Sequence, residues 1–193
     1  MMMTYMSDRL LIRPVHLKDA PAMYDYAKDP RVGPMAGWNP HASLDETKAV
    51  IKQMMKGSET SSGVYAVCLH DNVLIGTIDI HHIKPGFQGE MGLVLHPDYH
   101  GQGIMTEAGK IMLIHAFEEL GLKRVEYRHF KDNFASKRLR EKLMFRYEGI
   151  LRNGHRLPDH SVTDTVLSAM TDTDYFLRLK AFFAPIKATL KSL

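Results

Sequence analysis

The chain has 193 residues, 45% hydrophobic and 24% charged, with a formal net charge of +3, which suits one globular domain with a real core and leaves no room for two full ones. So small a charge does not name nucleic acid or an anionic membrane as the main partner. The single cysteine, Cys68, excludes an internal disulfide and a cysteine-based zinc site.

No window reaches the roughly 18 apolar residues a spanning helix needs, and Met1 to Met6 carries no basic segment followed by an apolar stretch. Neither export nor membrane insertion is expected, and Cys68, inside the apolar run Val64 to Leu69, reads as a core thiol in a reducing cytoplasm.

In chain order, Arg9 to Pro14 reads as a strand, and Lys18 to Lys28 as a helix with Ala20, Met23, Tyr24 and Ala27 on its apolar face. The loop Gly33 to His41 carries the only tryptophan, Trp38, and the next helix is capped by Ser43 with Glu46 three residues on. Val64 to Leu69 and Val73 to Ile80 form a hairpin, followed by a third antiparallel strand, Glu90 to His96, closed by Pro97. Ile104 to Leu120 is apolar around most of its circumference and reads as the central, buried helix. Gly121 stops it; strand Val125 to Phe130, helix Asn133 to Leu143 and strands Phe145 to Leu151 and Val162 to Met170 complete a mixed α/β order. From Thr171 a further helix starts at a Thr-x-x-Asp cap and is interrupted at Pro185. Its face of Phe176, Leu179 and Phe183 is expected to pack on the domain or on a second copy, which admits a homodimer.

The chemistry starts at Gly101-Gln102-Gly103, where a strand runs through glycines straight into the buried helix. Free N–H groups of the turn and of the helix's first turn converge there, and glycine permits both positive φ and close approach, so the expected ligand is a phosphate. A tight turn without a ligand explains the glycines alone as well. A P-loop fails on spacing, because Gly103 to Gly109-Lys110 is one residue too long and Ile111 follows. A dinucleotide fingerprint fails because Thr106 stands where its third glycine belongs.

His100-Gly101-Gln102-Gly103-Ile104-Met105 resembles the Gln/Arg-x-x-Gly-x-Gly/Ala loop of the GCN5-related N-acetyltransferases, with His100 and Met105 off the consensus. Asn133-x-x-Ser136, Lys142-Leu143-Met144-Phe145, Glu148-Gly149 and Arg9-Leu10-x-Ile12-Arg13-Pro14 extend the resemblance to about residues 7 to 175, especially toward the ribosomal-protein branch. The resemblance implies an acetyltransferase domain over residues 1–175 with a helical extension over 176–193. Its fold would be a twisted, mostly antiparallel sheet flanked by helices and splayed at the central strand. Acetyl-CoA would be the co-substrate, its pantetheine pairing with the backbone of Leu93, Val94 and Leu95 and its pyrophosphate lying on His100 to Met105, beside Asn133 and Ser136.

The reaction implied is direct acetyl transfer to an amine. Glu90 matches a position where the family often has a glutamate that removes the amine's proton through water, and Ser136 a serine that hydrogen-bonds the departing thiolate. Tyr147 is a weaker candidate acid. A strand-end acid and a helix cap explain the same two residues without chemistry. Trp38 and His82 are assigned to the acceptor slot, together with the loop Lys84 to Gly89 and the connection Arg152 to Ser161.

Lys131, Lys137, Arg138, Arg140 and Lys142 make a basic segment without stacking aromatics, which fits a polyphosphate cofactor better than RNA. Among eleven histidines no acid stands with two histidines at a recognised interval, so no metal site is expected. The acceptor reads as a protein or peptide α-amine, with a small amine as the alternative. A non-catalytic acyl-CoA-binding module is the reading from another class.

Overall fold

The computed structural model describes residues 3–56 and 61–183. Eight strands form one sheet in the order β1-β2-β3-β4-β5-β6-β8-β7: β1 Tyr5–Met6, β2 Leu10–Pro14, β3 Val64–Leu69, β4 Leu74–Lys84, β5 Gln88–Leu95, β6 Arg124–Phe130, β7 Arg146–Arg156 and β8 Val162–Thr171. Every neighbouring pair is antiparallel except β5–β6, which is parallel. The expected strands are all present. β1 was not foreseen, since two residues carry no period. β7 runs on through the first half of the stretch expected to be a loop, because positive φ at Asn153 and a register shift between Leu151 and His155 let it continue.

Period-two alternation gives the sheet two cores. Ile12, Tyr65, Val67, Ile78, Ile80 and Met91 face the central helix α4, Ile104–Ile114. Ala66, Cys68 and Leu74 face α1, Ala20–Ala27, and α3, Leu44–Lys56. On α1 the buried tyrosine is Tyr26 rather than Tyr24, since Tyr26 lies one turn from Met23 on the sheet side. α3 starts as expected: the Glu46 N–H donates to Ser43 Oγ at 3.1 Å, and the Glu46 carboxylate accepts the Ala42 N–H at 2.6 Å. Between the two helices, the expected loop holds a single turn, α2, Gly33–Ala36, which Gly37 ends in a left-handed conformation.

α4 is buried on nearly every side and continues as a π-helical stretch, His115–Glu119. Arg13 spans β2 to the start of α1 with two bonds to Asp19, at 2.8 and 2.7 Å, both side chains buried. The Thr171–Asp174 capping box forms as expected and opens α6, Asp172–Asp174, beyond which Tyr175 stacks on Phe117 with centroids 4.9 Å apart. Leu179 is buried in the same core, whereas Phe176 is 46% exposed and does not pack on the core of the domain. The side chain of Phe183, and Pro185, lie outside the described residues.

The pairing that shapes the molecule is β5–β6. It holds from Gln88↔Arg124 to Met91↔Tyr127 and then stops, after which Gly92 to Leu95 pair only with β4 and Arg128 to Phe130 only with β8. The two strands diverge into a fork, closed below by α4.

His115, 5% exposed at the end of α4, accepts or donates one bond to the Tyr5 phenol at 2.7 Å and packs beside Tyr65. Burial lowers its pKa to about 4, below the 6.5 of the unfolded chain. The unfolded state therefore takes up a proton first, and stability is lost as pH falls from about 6.5 toward 4, by roughly 3 kcal/mol for this group. Urea unfolding of wild type and His115→Gln at pH 7 and pH 4 should show a markedly smaller acid loss in the variant. Equal losses would assign the acid lability elsewhere.

Candidate active site

The mouth of the fork opens into a cavity of about 620 Å³. One wall is β5 and the turn after it, and the other is α5, Phe134–Lys142, with α2 above. Leu93, Val94, Leu95, His100, Gly101, Gly103, Ile104, Met105, Asn133 and Ser136 all line it, so the structure brings together every expected cofactor residue except Gln102. Gln102 is turned away, its amide bonding the Asp98 carbonyl at 3.1 Å.

The backbone of β5 offers its donors selectively. The His96 N–H donates to the Ile75 carbonyl at 2.8 Å, which makes Leu95↔Gly76 a non-hydrogen-bonded pair in the antiparallel ladder. The peptide groups of Leu95, and by the two-residue repeat those of Leu93, thus point away from β4 into the fork. Those of Val94 are consumed in the ladder with Thr77, so Val94 contributes only its side chain.

Gly101 and Gly103 stand at φ +78° and +77°, the left-handed region, and a Cβ at Gly101 would meet nothing within 4 Å. Backbone angle, not crowding, requires glycine there. Gly103 is the N-cap of α4, whose first-turn N–H groups have no acceptor within the helix and face the cavity at Ile104, Met105 and Thr106. Arg9 clamps the turn from behind: Nη1 donates to the Gln102 carbonyl at 3.0 Å and Nε to Glu107 at 2.8 Å. His100 folds back onto the Leu95 carbonyl at 3.1 Å, which leaves the backbone as the donor set of the turn. Among the described residues Arg31, Arg138 and Lys142 line the cavity and no carboxylate does, and although Asp29 pairs with Arg31 from outside it, the potential suits a polyanion. Of the basic segment, only Arg138 and Lys142 reach it. Arg31 was missed, since its approach depends on where α2 folds.

Ser136 sits in the first turn of α5. Asn133 caps that helix, accepting the Ser136 N–H at 3.0 Å, while its amide donates to the Met35 carbonyl at 3.2 Å and ties α5 to α2. The Ser136 hydroxyl lies 2.7 Å from the phenol of Tyr127, a buried residue of β6 that sequence reasoning did not single out. Burial pushes that phenol up to about 12, so it stays a neutral donor. Tyr147, by contrast, is 57% exposed and packs under Arg140, away from the cavity.

Glu90 lies at the base of the fork, opposite Glu126 and one residue before the strands part. It is about 10 Å along β5 from Leu93. Its carboxylate is 3.8 Å from His81 Nε2, 3.4 Å from His82 Nδ1 and 3.4 Å from Arg128 Nε. Burial alone would raise this carboxyl, but His81, Arg128 and His82 outweigh it and hold it below its ordinary value. Burial would likewise lower His81, but Asp79 at 3.0 Å and Glu90 push it up to about 9. His82 is 77% exposed beside Glu90. Trp38 does not line the main cavity. It lines a smaller one of about 260 Å³ on the α1–α3 side, with Met23, Tyr26, His41, Met54 and Thr77, and the two cavities share Val94.

A parallel strand pair that splays, free strand amides in the gap and a glycine-capped helix at its mouth define a site for an acyl-CoA. The acetyltransferase (GNAT) domain family matches residues 9–146. The chain is 30% identical to the uncharacterized N-acetyltransferase YnaD of Bacillus subtilis over 147 residues, 75% of this chain and 83% of that protein. Among solved structures, it shares the fold of the ribosomal-protein-S5-alanine acetyltransferase of Vibrio fischeri, with a TM-score of 0.73, 21% identity and coverage of 89% and 98%. It also shares that of RimL, the ribosomal L7/L12 alpha-N-protein acetyltransferase in complex with coenzyme A, with a TM-score of 0.76, 20% identity and coverage of 86% and 95%. The chain belongs to the GCN5-related N-acetyltransferase family and is an acetyl-CoA-dependent N-acetyltransferase. No helix among the described residues is long and apolar enough to cross a membrane.

A left-handed residue with a Cβ costs roughly 1–2 kcal/mol. The free turn of Gly103→Ala should relax away from this angle and have to regain it on binding, which weakens acetyl-CoA binding by about five- to thirtyfold by calorimetry. Unchanged affinity would remove the glycine turn from the binding site.

Proposed function

We propose that this chain transfers the acetyl group of acetyl-CoA to the α-amine of a protein or peptide. The observation that carries the reading is the pairing of two polar centres along one fork, Glu90 at its base and the Ser136–Tyr127 hydrogen bond on its wall. Acetyl-CoA supplies an activated thioester; the residues have to align it, accept a proton from the amine and donate a hydrogen bond to the thiolate.

The N–H groups of Leu93 and Leu95 direct the pantetheine arm down the fork, and the turn from Gly101 with the first turn of α4 holds the pyrophosphate. Ser136 Oγ donates to the thiolate as it leaves, its own oxygen supported by the Tyr127 phenol. Glu90, kept ionised by its cationic neighbours, takes the amine's proton through water. A carboxylate held below its ordinary value is a weak base, which suits an amine of pKa about 8 better than a lysine of about 10.4. The names of the two ribosomal-protein acetyltransferases that share the fold support an α-amine acceptor as well.

Losing a hydrogen bond to a developing charge costs about 1.5–3 kcal/mol, or roughly ten- to hundredfold in rate. Ser136→Ala should slow transfer by that factor with acetyl-CoA affinity nearly unchanged, and Tyr127→Phe by less; parallel loss of both quantities would make Ser136 a binding residue. The acceptor is tested by CoA release with free-N-terminal peptides, N-terminally blocked lysine peptides, polyamines and aminoglycosides. Free-N-terminal peptides should react fastest with wild type and slowly with Glu90→Gln. Preference for a polyamine or aminoglycoside would replace this acceptor assignment.

A further inference from the structure

We propose that His81, His82 and Glu90 form a binding site for a divalent transition-metal ion of the Zn²⁺ class. Adjacent residues of a strand point to opposite faces. His82 breaks that rule, standing at φ +49° within the irregular stretch of β4 between His81 and Lys84. A non-glycine residue there is strained, and such strain gathers at functional positions. What the left-handed turn achieves is to put two consecutive imidazoles on one side of the sheet, their centroids 4.6 Å apart, both beside Glu90 from the neighbouring strand.

The geometry is that of a ligand set. Donor atoms about 2.1 Å from a shared tetrahedral ion stand roughly 3.4 Å apart. His82 Nδ1 and Glu90 Oε2 are 3.4 Å apart, His81 Nε2 and Glu90 Oε1 3.8 Å, and one donor atom from each residue lies within 4.8 Å of the others. Outside them, Asp79 bonds His81 Nδ1 at 3.0 Å, which orients the ring and leaves Nε2 toward the site, as the carboxylate behind a metal-bound histidine does. Gly92 makes room for this support: a Cβ there would stand 2.7 Å from Asp79 Oδ1 and 2.8 Å from His81 Cε1. Two imidazole nitrogens and one carboxylate, with the exposed His82 side open to water, match a three-ligand site with a free fourth position. Arg128 competes for Glu90, its Nε 3.4 Å from that carboxylate, but its guanidinium also holds Glu126 at 2.7 Å and can stay there.

An ion at this place takes the lone pair that Glu90 would offer to the amine's proton, so it inhibits transfer. That clause rests on the reading of Glu90 as the base; the metal site does not. The test is calorimetric titration of ZnCl₂ into the tag-free, chelator-stripped full chain, with the visible absorption of added Co²⁺ as a second readout. One saturable site of micromolar or tighter affinity is expected. Asn tolerates the left-handed conformation, so His82→Asn keeps the backbone while removing the imidazole; it should weaken binding at least tenfold, and Asp79→Asn by about tenfold. Absence of saturable binding, or the same affinity in His82→Asn, overturns the site. Acetylated product, followed by mass spectrometry, should fall with Zn²⁺ in wild type and recover with chelator. His82-dependent binding without inhibition keeps the site and overturns Glu90 as the base.

Discussion

The site depends on one interruption: the parallel pairing of β5 with β6 ends at Met91↔Tyr127. A continuing ladder would satisfy the peptide groups of Leu93 and Leu95 within the sheet and close the cavity. β5 stays with β4 and β6 stays with β8, so each strand keeps one set of ladder bonds while the N–H groups of Leu93 and Leu95 are left out of the ladder on the cavity side. The buried helix α4 fills the space beneath, its apolar circumference packed by the sheet, Leu143, Tyr175 and Leu179.

Charge is sorted by this geometry. Among the described residues the charged side chains that line the cavity are cationic, whereas the sheet beyond the fork's base carries an alternating run: Asp79, His81, Glu90, Arg128, Glu126, Arg124, Glu148, each neighbouring pair 3.8 Å apart or closer. At Glu90 the cationic neighbours of this run outweigh the burial that alone would raise its carboxyl. The cavity side of the fork therefore suits a polyphosphate.

Much of this was legible in the chain. The glycines before the all-apolar helix, the alternation in β3 to β5 and the capping signals at Ser43 and Thr171 are local patterns, and they read correctly because the backbone preferences behind them act within a few residues. Tyr24 was preferred to Tyr26 because the side of α1 that meets the sheet is set by distant packing partners, and the end of β7 was read as loop because register on a sheet is set by partners far away in sequence.

The sequence by itself determined the order of elements, the glycine turn with its helix and the family, since each rests on residues close together in the chain. Only the tertiary structure decided that Tyr127 stands behind Ser136, that Arg31 reaches the cavity, that Val94 spends its backbone on β4 and that His81, His82 and Glu90 converge. The reason is physical: these relations cross from strand to strand or helix to sheet, and a left-handed turn at His82 or a fork at Met91 leaves no periodic trace in the sequence that encodes it.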